Sequence, residues 1–339
     1  MSQSRSLGLF VAVLASAALL PSLAGCGGAG ATPFAAGPSL SQGGPFVKSP
    51  GCGKSIVYVT SYDNSVYVFD QKHNGKTWCG QITGVTNPQG LFVDKRHHLW
   101  VAISGNCKTQ LSSVLEFAPG NPTPIRTLQD PDGSATDVAV DDRSGTVYVT
   151  NFFNYTTGCA SGNNGVVEVY RGGANTPTST LSDPHMNYAF NDAVDDRGNL
   201  YVTYLELNGP TGSGRIDEWV GGGGSAMDLG ITLQAPGGIQ TTKTGALLVC
   251  DQSVACGEFE PGSTTMTNLF ATKNPGSFGV ALDAAERHAW VENPALSAKQ
   301  LQSYSYPGPA AKPQQSLTVP NGGYAGVAVS PAAPQGQPY

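Results

Sequence analysis

The sequence predicts an all-β fold, a six-bladed β-propeller made of four-stranded blades. Three observations predict it. A short pattern recurs six times, the copies are spaced almost evenly, and the last copy lacks a strand whose counterpart stands alone near the start. Propeller blades repeat at a period of about 40 to 50 residues and contain four short strands each.

Each copy is an aliphatic segment ending in an acidic or polar residue, then a tight turn, then an aromatic–aliphatic strand. Residues 137–141 (DVAVD) followed by residues 147–149 (VYV) are a clear example. The near-constant period is that of blades, whereas β-sandwiches rarely repeat one strand quartet in this way. The six segments are 47, 54, 47, 41 and 47 residues apart and begin at Gly90, Asp137, Asn191, Gly238, Gly279 and Gly326.

Two further strands are predicted after each aromatic strand, the third ending at a glycine turn and the fourth more polar. Residues 114–117 and 124–128 are one such pair. The last aliphatic segment, 326–330, has no second strand after it, and residues 57–59 have no segment before them. We expect these two to pair, because that closes the ring and removes exposed sheet edges.

Composition agrees with a protein of strands and turns. Hydrophobic residues make up 40% of the chain and charged residues only 12%, with 44 glycines and 24 prolines spread between short apolar runs. The formal net charge is −6, and lysines and arginines form no basic stripe. We therefore expect no nucleic-acid binding, which needs clustered basic residues.

The start of the chain is predicted to be a targeting signal. Arg5 precedes an apolar stretch, 7–23, which leads into Leu23-Ala24-Gly25-Cys26. This ending resembles a bacterial lipobox, in which the signal peptide is cut before a cysteine that is then lipidated. An ordinary secretory signal and a transmembrane anchor are the alternatives, and Pro21 disfavours the anchor.

These features predict four segments. They are a lipoprotein signal peptide over 1–25, a flexible tether over 26–51 lipidated at Cys26, the propeller over 52–332 and a disordered tail over 333–339. We expect the protein to be exported and anchored by lipid in the cell envelope, at the outer membrane or cell surface.

Part of the repeat resembles known propellers. Residues 148–151 read Tyr-Val-Thr-Asn, and residues 58–61 and 201–204 match three of those four positions. Together with the Gly-Val-Ala-Val-Asp type of segment, they resemble the NHL-repeat and YVTN-repeat propellers and the related gluconolactonase family, over about residues 55 to 332. The resemblance implies the fold, but propellers host many unrelated activities.

Six cysteines remain besides Cys26, and an even number in an exported chain predicts disulfides. Cys107 and Cys159 lie in equivalent loops of consecutive blades. Cys250 and Cys256 flank one loop of the fifth blade, and Cys52 and Cys79 lie in the opening blade. A zinc site is the alternative, although the paired spacings typical of zinc ligands do not occur in the sequence. The expected disulfides are Cys52–Cys79, Cys107–Cys159 and Cys250–Cys256.

Long loops are predicted to gather at one face, where innermost strands start and second strands end. Loops on a rigid scaffold commonly carry function, and aromatic rings with a polar group suit protein or carbohydrate surfaces. Some of these rings could instead pack between blades. The candidate ligand-binding residues are Phe152, Phe153, Tyr155, His185, Tyr188, Phe190, Tyr204 and Tyr324.

Oxygen-bearing side chains are expected around the mouth of the central channel, where they could hold Ca²⁺ or another divalent cation. Resemblance to the gluconolactonase family implies a channel metal that activates substrate or water. It also implies a glutamate on an early innermost strand, and residues 87–91 (NPQGL) contain none. Asx residues at strand ends are also common turn formers. The candidate ligands are Asp137, Asn151, Asn191, Asp192, Asp251 and Asn293.

The sequence thus favours a binding module for a protein or carbohydrate over an enzyme, and it identifies no catalytic residue. The alternative is a metal-dependent hydrolase similar to the lactonases of the gluconolactonase family. A structural component of the envelope is a third interpretation.

Overall fold

The fold is the predicted all-β propeller, with six antiparallel sheets of four main strands each. A computed structural model describes residues 52–72, 78–106, 110–131, 133–156, 160–161, 164–207, 214–272, 276–293, 300–310 and 312–336.

Each sheet is one blade, and its strands take the same four positions from the channel outward. The innermost strands are β4 (Pro88–Val93), β8 (Gly133–Val140), β13 (Tyr188–Val194), β17 (Pro236–Thr241), β21 (Gly279–Leu282) and β25 (Gly323–Ser330). The second strands are β1 (Ile56–Ser61), β5 (Leu99–Ile103), β9 (Val147–Thr156), β14 (Leu200–Leu205), β18 (Leu247–Asp251) and β22 (His288–Asn293).

The fourth strand of each blade is the most exposed one. The third strands are β2 (Ser65–Asp70), β6 (Ser112–Phe117), β11 (Val166–Tyr170), β15 (Gly214–Trp219), β19 (Ala255–Phe259) and β23 (Gln300–Ser305). The fourth strands are β3 (Gly80–Thr83), β7 (Pro124–Asp130), β12 (Ser179–Leu181), β16 (Met227–Asp228), β20 (Met266–Phe270) and β24 (Gln315–Thr318). A two-residue strand, β10 (Ala160–Ser161), pairs with β9, and a 3₁₀ turn covers Val220–Gly222.

The ring closes as the sequence predicts. Blade 1 consists of β25, β1, β2 and β3, so the last strand of the chain pairs with the first. Val57 lies opposite Val329, and Tyr58 lies opposite Ala328. Blades 2 to 6 follow in chain order and begin with β4, β8, β13, β17 and β21.

The core lies between the blades. Because side chains alternate along a strand, Val57 and Val59 pack against blade 6, while Tyr58 packs against blade 2. Within the described residues, each of the six interfaces between neighbouring blades holds one buried apolar cluster. Since β-branched and aromatic residues fit this two-sided burial, each blade depends on both neighbours.

Two disulfides match two of the three expected pairs. Cys52–Cys79 has an S–S distance of 2.04 Å and lies in blade 1. Cys250–Cys256 joins directly opposed residues of β18 and β19. Cys26, Cys107 and Cys159 lie outside the described residues.

No helix in the described ranges is both long and apolar enough to cross a membrane.

Candidate functional site

The six innermost strands surround a cavity of about 660 Å³. The first residue of each repeated segment lies where one innermost strand approaches the next, and in four blades this residue is glycine. A Cβ on Gly279, for example, would lie only 2.7 Å from the Ala325 carbonyl oxygen of the next strand. Glycine at this position therefore lets the strands pack closely around the channel.

In blades 3 and 4 the first residue of the segment is not glycine but a polar residue on the channel wall. The first positions there are Asp137 and Asn191, and the Asn191 Nδ2 donates to Asp137 Oδ2 at 2.9 Å. The next residue, Asp192, replaces an aliphatic residue, and its Oδ2 accepts from Thr150 Oγ1 at 2.9 Å. A Cβ on Gly90 would overlap the Asp137 carboxyl, so Gly90 leaves the space that this side chain needs.

We call Asp137 and Asp192 the channel carboxylates. They are only 8% and 5% exposed. Asp137 accepts three N–H groups, from Asn191 Nδ2 and from the Val138 and Asp192 backbones, whereas Asp192 Oδ1 has no partner among the described residues. Burial raises the pKa of Asp137 to about 7. Burial, and then the charge of Asp137, raise the pKa of Asp192 well above its usual value.

Of the residues expected to bind a metal, Asp137, Asn191 and Asp192 are the ones that contact one another in the described structure. The N–H donors on Asp137 occupy the oxygens that a cation would need. Asp251, at the end of β18, accepts the backbone N–H groups of Gln234 and Ala235, which precede β17. Asn151 is fully buried. The side chain of Asn293 lies outside the described residues.

The turn after β4 brings together another group with metal-ligand chemistry, Asp94, His98 and Glu116. His98 Nδ1 lies 2.6 Å from Glu116 Oε1. The guanidinium of Arg96 contacts Asp94 at 2.8 Å and Glu116 at 3.0 Å. A metal would have to displace that guanidinium, so we assign this group to turn structure.

The segment after β25 crosses one end of the channel. Residues 331–335 line the cavity at the face where the innermost strands end. The Asp142 N–H donates to Gln335 Oε1, the Asp196 N–H donates to the Gly336 carbonyl, and the Gly336 N–H donates to Thr241 Oγ1. The sequence predicted a disordered tail from residue 333, whereas residues 333–336 are bound to the ends of several blades. This corrects the expected boundary.

Five of the predicted ligand-binding residues form one aromatic cluster on the opposite, loop-rich face. Phe152 stacks on Tyr188 at 4.6 Å and meets Phe153 and Phe190 edge-on at 5.5 and 5.3 Å. Phe153 meets Tyr155 edge-on at 5.1 Å. All five rings are partly exposed. The cluster lies near Asp192 along both strands, since Phe190 is two residues before Asp192 and Phe152 is two residues after Thr150, which donates to Asp192.

Tyr204 does not belong to this surface, which corrects its predicted role. It is 2% exposed, and its hydroxyl donates to Asp217 Oδ1. The sequence placed Tyr204 in a loop, but β14 continues to Leu205 and the strand alternation turns the ring inward. His185 is exposed and pairs with Glu206 at 3.0 Å, and the Tyr324 side chain lies outside the described residues.

Three contributors to the site were missed from the sequence. Thr150 holds Asp192, Gly90 makes room for Asp137, and residues 331–336 cover one end of the channel. Aligning the six segments shows where glycine and aliphatic positions change to polar residues or acids, which is a signal for Asp137 and Asp192 but not for the residues that contact them. Contacts across blades give no comparable signal.

No protein-family model matches the sequence, and no curated protein matches it. The fold is widely shared, since 843 chains of solved structures match it, and so it identifies no function. One is a chain from the crystal structure of a nidogen/laminin complex, with a TM-score of 0.59 and 14% identity over 81% of this chain and 98% of that chain. At this identity the likeness shows the fold alone.

Proposed function

We propose that the protein is an exported, lipid-anchored binding module that recognises a protein partner through the aromatic cluster. The observation that carries the proposal is the packing of five rings against one another at a partly exposed position. Rings fixed in this way lose little conformational entropy on binding, and aromatic residues dominate the energetics of many interfaces.

Two further observations support the proposal. The nidogen/laminin neighbour comes from a complex of two proteins, which supports a propeller as an interaction scaffold. The disulfides Cys52–Cys79 and Cys250–Cys256 support export, because such bonds persist in oxidising compartments.

Photo-crosslinking tests the partner-binding surface. A photoreactive phenylalanine analogue at Phe153 should crosslink a protein in intact cells, because Phe153 lies at the partly exposed edge of the cluster. The same analogue at Ile125, which is 50% exposed on β7, is the matched control and should not. The crosslinked protein is then identified and purified for binding measurements.

With that protein, Phe153→Ala should weaken binding about 10-fold or more, as expected for an interface hot spot. Ile125→Ala should leave affinity unchanged. Phe152 is a poorer choice, since it contacts three rings and its truncation would also destabilise the fold. Equal crosslinking from both positions, or full affinity in Phe153→Ala, would contradict the proposal. A glycan in place of a protein would show that the cluster recognises carbohydrate.

A further inference from the structure

The channel carboxylates lack a counter-charge. The other charged or titratable side chains lining the cavity all lie in the turns that follow β4, β8 and β13, not on the strands. Within the described residues, the cavity-lining parts of β17, β21 and β25 contribute no ionisable side chain. The turn residues are Asp94, Lys95, His97, Asp142, Arg143 and Asp196.

Arg143, in the turn after β8, bonds elsewhere and not to the channel carboxylates. The guanidinium of Arg143 is directed to the turn of blade 4, where it donates to the Arg197 carbonyl. Asp192 Oδ1 therefore remains a buried acceptor without a donor among the described residues. A buried carboxyl in this state is costly unless something pairs with it.

The cavity around this acceptor has the size and walls of a small-molecule site. Its volume of about 660 Å³ falls within the usual range for ligand pockets. Most of its wall is aliphatic, and the two carboxylates lie on one side only. All six innermost strands contribute aliphatic residues, among them Leu91, Val138, Val194, Ile239, Val280 and Val327.

We propose that the channel binds an organic amine, whose ammonium group pairs with Asp137 and Asp192 and whose apolar part lies along the aliphatic wall. The ammonium donates to Asp192 Oδ1 and takes the place of the missing counter-charge. The ligand enters from the loop-rich face, because residues 331–336 cross the other end. This inference goes beyond the proposed function, since it concerns the channel and not the aromatic cluster.

A metal ion fits these observations less well. Both Asp137 oxygens already accept N–H groups, and within the described residues no three side chains of metal-ligand type converge on the channel. A bare ion would also leave most of the aliphatic cavity unfilled. An ammonium group carries three N–H donors, of which one can go to Asp192 Oδ1 while the others keep water, with the Asp137 charge beside it.

The amine should bind more tightly as the pH rises. Burial raises the pKa values of both channel carboxylates, so near neutral pH they hold protons that an ammonium group must displace. Each proton released makes the affinity rise by about tenfold per pH unit. The strengthening should occur around pH 7, near the pKa of Asp137.

Titration calorimetry of the intact protein with phenylbutylamine tests the proposal, with phenylbutanol as the neutral isostere. At pH 8 the amine should bind saturably and the alcohol should bind at least tenfold more weakly. Asp192→Asn keeps the shape of the side chain and should weaken amine binding at least tenfold. Asp137→Asn serves as the second variant if the first does not fold.

Asp228→Asn is the matched control, because Asp228 is an exposed acid on β16 outside the channel, and it should bind the amine as the wild type does. No saturable amine binding, equal binding of the alcohol, or full affinity in both channel variants would overturn the proposal. Calcium chloride that raises the melting temperature and displaces the amine would replace it with a metal site. Partner crosslinking from Phe153 is a separate readout, so the two proposals can fail independently.

Discussion

Single buried carboxyls in this propeller fall into two groups, distinguished by what their oxygens contact. The aspartates that follow several innermost strands accept N–H groups of their own turns, as Asp94 does from Arg96 and His98. Glu292, on β22, is 1% exposed, lies against Gly323 and leaves its Oε2 without a partner among the described residues. The first group stabilises its turns, whereas Glu292 has a desolvation cost with no compensation.

We predict that Glu292→Gln stabilises the protein at pH 8 but not at pH 4. Burial raises the pKa of Glu292 well above its usual value. At pH values between the ordinary pKa of a glutamate and the raised pKa of Glu292, the folded protein holds a proton that the unfolded chain has lost. The wild type therefore loses about 1.4 kcal/mol of stability per pH unit through this window, and the amide variant does not. Urea unfolding at both pH values measures the difference.

Glu116→Gln is the contrasting variant, because Glu116 contacts Arg96 and His98. It should lower the unfolding midpoint at pH 8. A Glu292→Gln variant as unstable as Glu116→Gln at pH 8 would show that Glu292 has a partner outside the described residues.

Among the structural elements, we call residues 331–336, which follow β25, the clasp. They bind the ends of several blades at the face where the innermost strands end. The hydrogen bonds of the clasp reach the ends of β8, β13 and β17, so it links blades that are not neighbours of blade 1. Gly336 packs against the Thr242 backbone so closely that a Cβ would overlap it. The segment therefore ties three blades together and covers the channel.

Truncation after Ala332 should destabilise the propeller by about 2 to 4 kcal/mol, since several hydrogen bonds are lost together. Hydrogen exchange at the Asp142 and Asp196 amides should speed up, because both donate to this segment. Truncation after Gly336 is the control and should change neither quantity. Unchanged exchange at both amides in the shorter protein would contradict the clasp.

The strand pattern shows how far sequence could predict the elements. Period-two alternation of Val and Tyr identified the repeated strands because it is a local pattern, and the unmatched strands 57–59 and 326–330 at the two ends of the repeats identified the closure. Strand ends were less predictable: β9 runs to Thr156 and β14 to Leu205, which turned an expected loop residue, Tyr204, into a core residue. The repeat placed Asp137 and Asn191 at the same channel mouth, whereas the clasp joins distant parts of the chain and no local pattern encodes it.

At the scale of the whole molecule, the described residues form a closed ring, and the sequence predicts that the segment before it is a membrane anchor. The core is divided among the six interfaces between blades. Blade 1 takes part in two of them, so both the first and the last strand of the propeller are needed to complete the core. One proposed site lies in the channel, and the other lies at the loop-rich face, where β9 and β13 carry the aromatic cluster. A ring with sites on one face suits a protein held near a surface, and the lipobox-like ending at Cys26 predicts how it is held.

We predict that Cys26→Ser moves the protein from the membrane fraction to the soluble fraction and abolishes labelling by radioactive palmitate. The melting temperature of the propeller should stay the same, because its first strand begins thirty residues later, at Ile56. Cys52→Ser is the matched control: it removes the Cys52–Cys79 disulfide, so it should lower the melting temperature while labelling and membrane association persist. Palmitate labelling that survives Cys26→Ser would overturn the anchor. Loss of labelling with continued membrane association would instead show that the protein is retained by its partner.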